Sequence, residues 1–203
     1  MRSDKQEGSY VEFYSDGVKR KEGKYAAGQK EAIWKTWYKD GILNEACPYL
    51  DGKRNGEVKV YRNNGTLNVI WHYVNGKKEG EYIEFYPSGK KSAQQMYVNN
   101  RANGIRTSWY ESGNVKAETP MLNGKRDGTA LTYFLNGKTS SKCPYLNDRR
   151  QGECIYYKQD GTVRWAALYE NGTQIKITQG NPEPGKIELK DGDSGFAPME
   201  TGK

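Results

Sequence analysis

From Gly8 onward the sequence repeats itself every 24 residues. Steps of that size land on Gly8, Ala32, Gly56, Gly80, Gly104, Gly128 and Gly152, and nine residues after each stands another glycine, from Gly17 to Gly161. Five past each start is an aromatic without exception: Phe13, Trp37, Tyr61, Phe85, Trp109, Tyr133 and Tyr157. Seventeen past come Tyr25, Tyr49, Tyr73, Tyr97, Met121, Tyr145 and Tyr169. No insertion interrupts the count between Gly8 and Ile175, as expected if one extra residue in a strand would turn its side chains to the wrong face. Seven copies of one unit predict a repeat architecture in which each unit contacts mainly its neighbours. Function is then expected on an extended surface.

Each unit reads as two strands and two turns. A short aromatic run such as Tyr82-Ile83-Glu84-Phe85-Tyr86 leads into Pro87-Ser88-Gly89, a turn that recurs as Asp16-Gly17, Asp40-Gly41, Asn64-Gly65, Asn136-Gly137 and Asp160-Gly161. Asn-Gly and Asp-Gly suit the positive φ of tight hairpins. A second run ends near Tyr97-Val98 and meets another turn, Asp51-Gly52-Lys53-Arg54-Asn55-Gly56 or Asn75-Gly76-Lys77-Lys78-Glu79-Gly80. No helical period is sustained, and 24 glycines in 203 residues oppose helix. The pattern predicts an all-β chain: an elongated, curved, single-layer antiparallel meander of about fourteen strands, advancing about 10 Å per unit. With 34% hydrophobic residues it can bury aromatics on one face of a sheet but cannot fill a sandwich. Pro48, Pro120 and Pro144 share a column, which places it at a bulge or an outward N–H.

The unit resembles the MORN repeat, the membrane occupation and recognition nexus motif. Gly80-Glu81-Tyr82-Ile83-Glu84-Phe85-Tyr86-Pro87-Ser88-Gly89 and Tyr73-Val74-Asn75-Gly76-Lys77-Lys78-Glu79-Gly80 carry the resemblance, which is closer to the longer bacterial variant and covers residues 8–175. Departures are Ala32, Asn100, Asp148 and Met121. The resemblance implies a curved single-layer sheet that binds proteins or membrane surfaces, and in bacteria an antitoxin or immunity protein beside a cognate toxin.

The flanks are residues 1–7, a polar leader, and 176–203, read as a cap strand around Ile187-Glu188-Leu189 or a mobile tail. No apolar run reaches the length of an export signal or a membrane helix, although a chain trimmed of its signal would begin in the same way. The compartment stays open. Cys47 and Cys143 stand four units apart, so only Cys143 and Cys154 are placed to pair, and free, buried thiols are the favoured reading of all three.

Little points to catalysis. His72 stands in a column otherwise held by Lys24, Pro48, Met96, Pro120, Pro144 and Leu168, as a strand-surface residue would. Three cysteines and one histidine at these spacings make no zinc site, and the glycines form no phosphate loop. The expectation is a non-enzyme with no cofactor and no metal.

Two features point to binding. The net charge of +7 gathers as Lys53-Arg54, Lys77-Lys78, Lys125-Arg126 and Arg149-Arg150, with Arg101 and Lys30, at one phase of the repeat, while Asp16, Asp40 and Asp160 lie at the opposite edge. That basic rim either keeps the sheet soluble or steers an anionic partner, an acidic protein or a phospholipid layer. The second feature is a broken aromatic column, Tyr14, Tyr38, Arg62, Tyr86, Tyr110, Phe134 and Lys158, adjacent to the unbroken one. Neighbours in a strand face opposite sides. The unbroken column and the tyrosine column are most simply core, so the broken column is expected to face out and to carry the binding residues; under the opposite assignment the unbroken column does. Either way one aromatic row is exposed, as protein recognition favours. Nucleic acid is disfavoured because the aromatics follow the repeat and serve the fold. The expected partner is a protein, a cognate toxin or effector by resemblance, with an anionic membrane or an envelope structure as the alternatives.

Overall fold

The computed structural model describes residues 5–180, and over them the chain is one antiparallel sheet of 19 strand segments, with no helix. In order these are β1 (Gly8–Phe13), β2 (Lys19–Ala26), β3 (Gln29–Trp37), β4 (Leu43–Leu50), β5 (Lys53–Arg54), β6 (Gly56–Tyr61), β7 (Leu67–Val74), β8 (Lys77–Lys78), β9 (Gly80–Phe85) and β10 (Lys91–Val98). They continue as β11 (Arg101–Trp109), β12 (Val115–Leu122), β13 (Lys125–Arg126), β14 (Gly128–Tyr133), β15 (Thr139–Leu146), β16 (Arg149–Arg150), β17 (Gly152–Tyr157), β18 (Val163–Glu170) and β19 (Thr173–Gly180). Every pairing is between sequence neighbours or across a single two-residue segment, the meander that the repeat predicts. The two-residue segments β5, β8, β13 and β16 each run, after one residue, into the longer segment that follows. Counted with those, they give the expected ladder, and β19 extends it past Ile175 as the first strand of an eighth unit. There Lys176 stands at the glycine position. The proposed strand around Ile187 lies outside the described residues.

The two turns of the unit differ. In the second turn both central residues take positive φ, as at Asp51 (49°) and Gly52 (74°) or Asn123 (51°) and Gly124 (87°), the signature of a two-residue hairpin. In the first turn only the glycine does. Gly17 N donates to Tyr14 O and Tyr14 N to Val18 O, so the loop is an i→i+3 turn followed by a left-handed glycine. The Asp or Asn before that glycine therefore serves another purpose. Asp16, Asp40, Asn64, Asn136 and Asp160 each accept, through Oδ1, a hydrogen bond from the backbone N–H two residues on.

Asn100 and Asp148 stand at the second-turn glycine position with φ of 68° and 71°, and their side chains offset that strain. Asn100 Oδ1 accepts from Lys78 N, and Asp148 Oδ1 from Arg126 N and Nε. The proline column lies opposite a bulge. Pro48, Pro120 and Pro144 accept through their carbonyls from Asn55, Asp127 and Gln151, and their rings press on Gly56, Gly128 and Gly152. A Cβ at Gly56 would stand 3.0 Å from Pro48 Cγ, which with its φ of 115° accounts for glycine there.

With a single layer, side chains on the packed face cover one another. Directly paired residues alternate along it as Trp34 with Cys47, Val58 with Trp71, Tyr82 with Gln95 and Tyr156 with Trp165. Trp34 is 3% exposed although no second sheet among the described residues covers it, because Tyr10, Tyr25 and Tyr49 surround its ring. Tyr156 stacks on Trp165 with centroids 4.2 Å apart. Beside that stack, Cys143 and Cys154 are joined in a disulfide across β15 and β17, with Cα atoms 4.2 Å apart. The expectation of free thiols is corrected for this pair, which adjacent strands bring face to face, and Cys47 remains free and buried.

Candidate binding surface

The unbroken aromatic column is not core. None of Phe13, Trp37, Tyr61, Phe85, Trp109, Tyr133 and Tyr157 is among the buried residues, and Phe13 is 57% exposed while the other six are half-buried. Each follows a residue of the packed face, so strand alternation turns it to the other side. Contacts on that open face agree: Tyr133 Oη donates to Glu118 at 2.6 Å, and Lys19 Nζ lies 5.1 Å from the Trp37 ring centroid. The hydrogen bond to Glu118 raises the Tyr133 phenol to about 12. The expectation that this column is core and the broken column the outward row is corrected: alternation from Tyr82 and its equivalents on the packed face turns the unbroken column outward.

The broken column has a part in the fold. Tyr14, Tyr38, Tyr86 and Tyr110 each donate through Oη to the carbonyl of the unbroken-column residue one unit on, Trp37, Tyr61, Trp109 and Tyr133, at 2.7–2.8 Å. Arg62, which interrupts the tyrosines, makes the same link by donating to Phe85 O, and adds one to Leu67 O. Phe134 has no hydroxyl and breaks the series. These rings are half-buried along the first-turn edge, stitching each unit to the next.

The basic residues also divide in two. They are not loop tips: each pair opens a strand just past the two-residue turn, with Lys53 opposite Leu50 and Arg54 opposite Tyr49. The second member turns to the packed face and lies over the tyrosine of the next unit. Charge-bearing atoms stand 4.9 Å from the ring centroid for Lys30 and Tyr49, 5.5 Å for Arg54 and Tyr73, and 5.6 Å for Lys78 and Tyr97. Arg126 and Tyr145 are at 4.3 Å, Arg150 and Tyr169 at 5.1 Å. Burial lowers the pKa of Lys30 and Lys78. Five of the cations expected to form a rim are therefore packed on rings, and Ala102 holds the sixth place.

The first members, Lys53, Lys77, Arg101, Lys125 and Arg149, are exposed on the open face. Each is paired directly across its hairpin with an aliphatic residue: Leu50, Val74, Val98, Leu122 and Leu146. These aliphatics are 46–54% exposed. Sequence reasoning missed this second open-face file because each member reads as an ordinary strand end. The signal was present, since Leu or Val fills one column through five consecutive units. Met96 and Ile105, 45% and 59% exposed, widen the file near its middle. A shallow cavity of about 450 Å³ opens there, lined by Arg101, Leu122, Asn123, Lys125 and Asn147.

No group of three metal-ligating side chains occurs among the described residues. His72 lies on the strand surface, with Nδ1 2.7 Å from Glu81 O and Nε2 3.4 Å from Glu57 Oε2. The open face thus presents a row of aromatic rings and a file of exposed aliphatic and cationic pairs.

Among curated proteins, none matches the chain. The family model described as MORN repeat variant matches residues 54–75, 78–99, 102–123 and 126–147. Each match begins at the ring-packing position of Arg54, Lys78, Ala102 or Arg126, so four consecutive units of this sheet are similar to MORN repeats, by sequence as well as by period.

Proposed function

We propose that the array is a non-enzymatic protein-binding scaffold, and that it acts as an antitoxin or immunity protein neutralising a cognate bacterial toxin or effector by direct contact. The observation that carries the binding reading is the row of seven aromatics on the open face. A ring at every unit gives contact area at low entropic cost, and the half-buried Tyr14, Tyr38, Tyr86, Tyr110 and Phe134 flank it along one edge. Lys53, Lys77, Lys125 and Arg149 add charge for steering at the other edge. Arg54, Lys78, Arg126 and Arg150 hold the tyrosines in place behind that surface. The toxin part of the reading rests on the resemblance to the bacterial repeat variant.

A second reading is a peripheral adaptor on anionic membranes, favoured by the exposed file of aliphatic and cationic pairs. The test is expression of the product of the neighbouring gene, alone and together with this chain. Restored growth and a co-purifying complex are expected. Unrelieved toxicity, with the chain collecting on anionic vesicles, would support the adaptor instead.

A further inference from the structure

Resting on the protein-binding reading, we propose that the file of aliphatic and cationic pairs is the docking edge for an acidic, amphipathic helix of the partner, with the cavity around Leu122 as its anchor. Five aliphatics, all about half exposed, lie in one line on the open face. Nothing among the described residues covers them. Each is matched by a cation, and none of the five cations enters an ion pair among the described residues. Lys77 donates only to the neutral Asn99, at 3.1 Å. A surface that sets unpaired cations beside apolar groups selects a partner offering carboxylates beside apolar groups.

The spacing selects its form. Neighbouring units are two strands apart, about 10 Å, and two turns of α-helix rise about 11 Å over seven residues. A helix laid along the edge would therefore present one apolar and one acidic residue per unit from the same face. An extended strand fits less well. Its side chains alternate sides, and the three residues that span one unit put successive contacts on opposite faces. The cavity is lined by Arg101, Lys125, Asn123 and Asn147 around Leu122, so it offers a carboxylate two cations and two carboxamides beside an aliphatic contact.

The experiment titrates the full chain with a labelled helical peptide of four heptads carrying Leu and Glu once per heptad on one face. A second peptide has the same composition at five-residue spacing, and a third replaces each Glu by Lys. Vesicles of phosphatidylglycerol form a separate arm. Saturable binding of the heptad peptide is expected, with affinity lower by about tenfold for the respaced peptide and for the Val98→Ser, Leu122→Ser variant. Charge reversal at Lys77, Arg101 and Lys125 to Glu should abolish that binding and create binding of the Lys peptide. Circular dichroism confirms that each variant keeps its sheet. No binding by the wild type, indifference to spacing, failure of the charge exchange, or vesicle binding in place of peptide binding would each overturn the assignment. Toxin neutralisation by the same charge-reversed variant separates the two claims: if neutralisation survives, the scaffold reading stands and the edge is not its docking site.

Discussion

Ala102 and Met121 depart from the repeat together. At the five other unit boundaries from Lys30 onward a cation lies over the tyrosine of the unit that follows, and the one boundary without the cation is also the one without the ring. The joint loss marks the cation and the tyrosine as one interaction, placed across the boundary between units.

Restoring both partners should therefore do more than restoring either. Ala102→Lys with Met121→Tyr is expected to stabilise the sheet by about 0.5–1 kcal/mol beyond the sum of the single changes, the range of a partly exposed cation over a ring. Urea denaturation of the four proteins in the cycle measures this. Additive single changes would mean that the two positions are independent.

The tyrosine hydroxyls along the first-turn edge make a similar claim. Tyr38→Phe, Tyr86→Phe and Tyr110→Phe should each cost about 1 kcal/mol, because each leaves a carbonyl of the next unit without its donor. Phe134→Tyr should gain a comparable amount by donating to Tyr157 O, extending the series. A neutral or destabilising Phe134→Tyr, read by thermal and urea melts, would show that the hydroxyls follow the fold and do not support it.

The period made the meander and the places of its turns legible, because each follows from residue type at a fixed count, whereas the first turn's Asp and Asn proved to cap the turn and not to take positive φ. The side of each column was harder to read. Alternation says that Phe85 and Tyr86 point apart, but which one faces the core depends on Tyr82 and Gln95 pairing across β9 and β10. The basic pairs misled for a related reason. Lys77-Lys78 looks like a loop tip, yet the turn ends at Asn75-Gly76 and the two lysines fall on opposite faces of a strand, one exposed and one packed on Trp71 at 3.6 Å.

Cysteine chemistry should follow burial. Desolvation raises the Cys47 thiol from 9 to about 11, so a thiol reagent at pH 8 is expected to label it only after unfolding. Between pH 9 and 11 the unfolded chain gives up this proton while the folded chain keeps it, so the contribution of Cys47 is present below pH 9 and is lost as pH rises toward 11. Cys47→Ala should flatten the alkaline fall in stability across that window, measured by urea melts at stepped pH. An unchanged profile would assign the fall to other groups.

Reduction of the Cys143–Cys154 bridge should destabilise the chain by about 3 kcal/mol from the entropy of the small loop it closes. Melts with and without reductant in a Cys47→Ala background isolate this effect. A shift below about 1 kcal/mol would show that the stacked Tyr156 and Trp165 hold these strands without it.

The central claim is that the outward aromatic row is the binding surface and that the core lies on the other face. Trp37→Ala, Tyr61→Ala and Trp109→Ala can be titrated against the product of the neighbouring gene, with Trp34→Ala as the core control. The account predicts that the three row variants keep the melting temperature within about 3 °C of the parent while partner affinity falls by about tenfold or more. Trp34→Ala, which empties the packed face, should lower the melting temperature severely. Row variants that melt as Trp34→Ala does, or that bind as tightly as the parent, would contradict it.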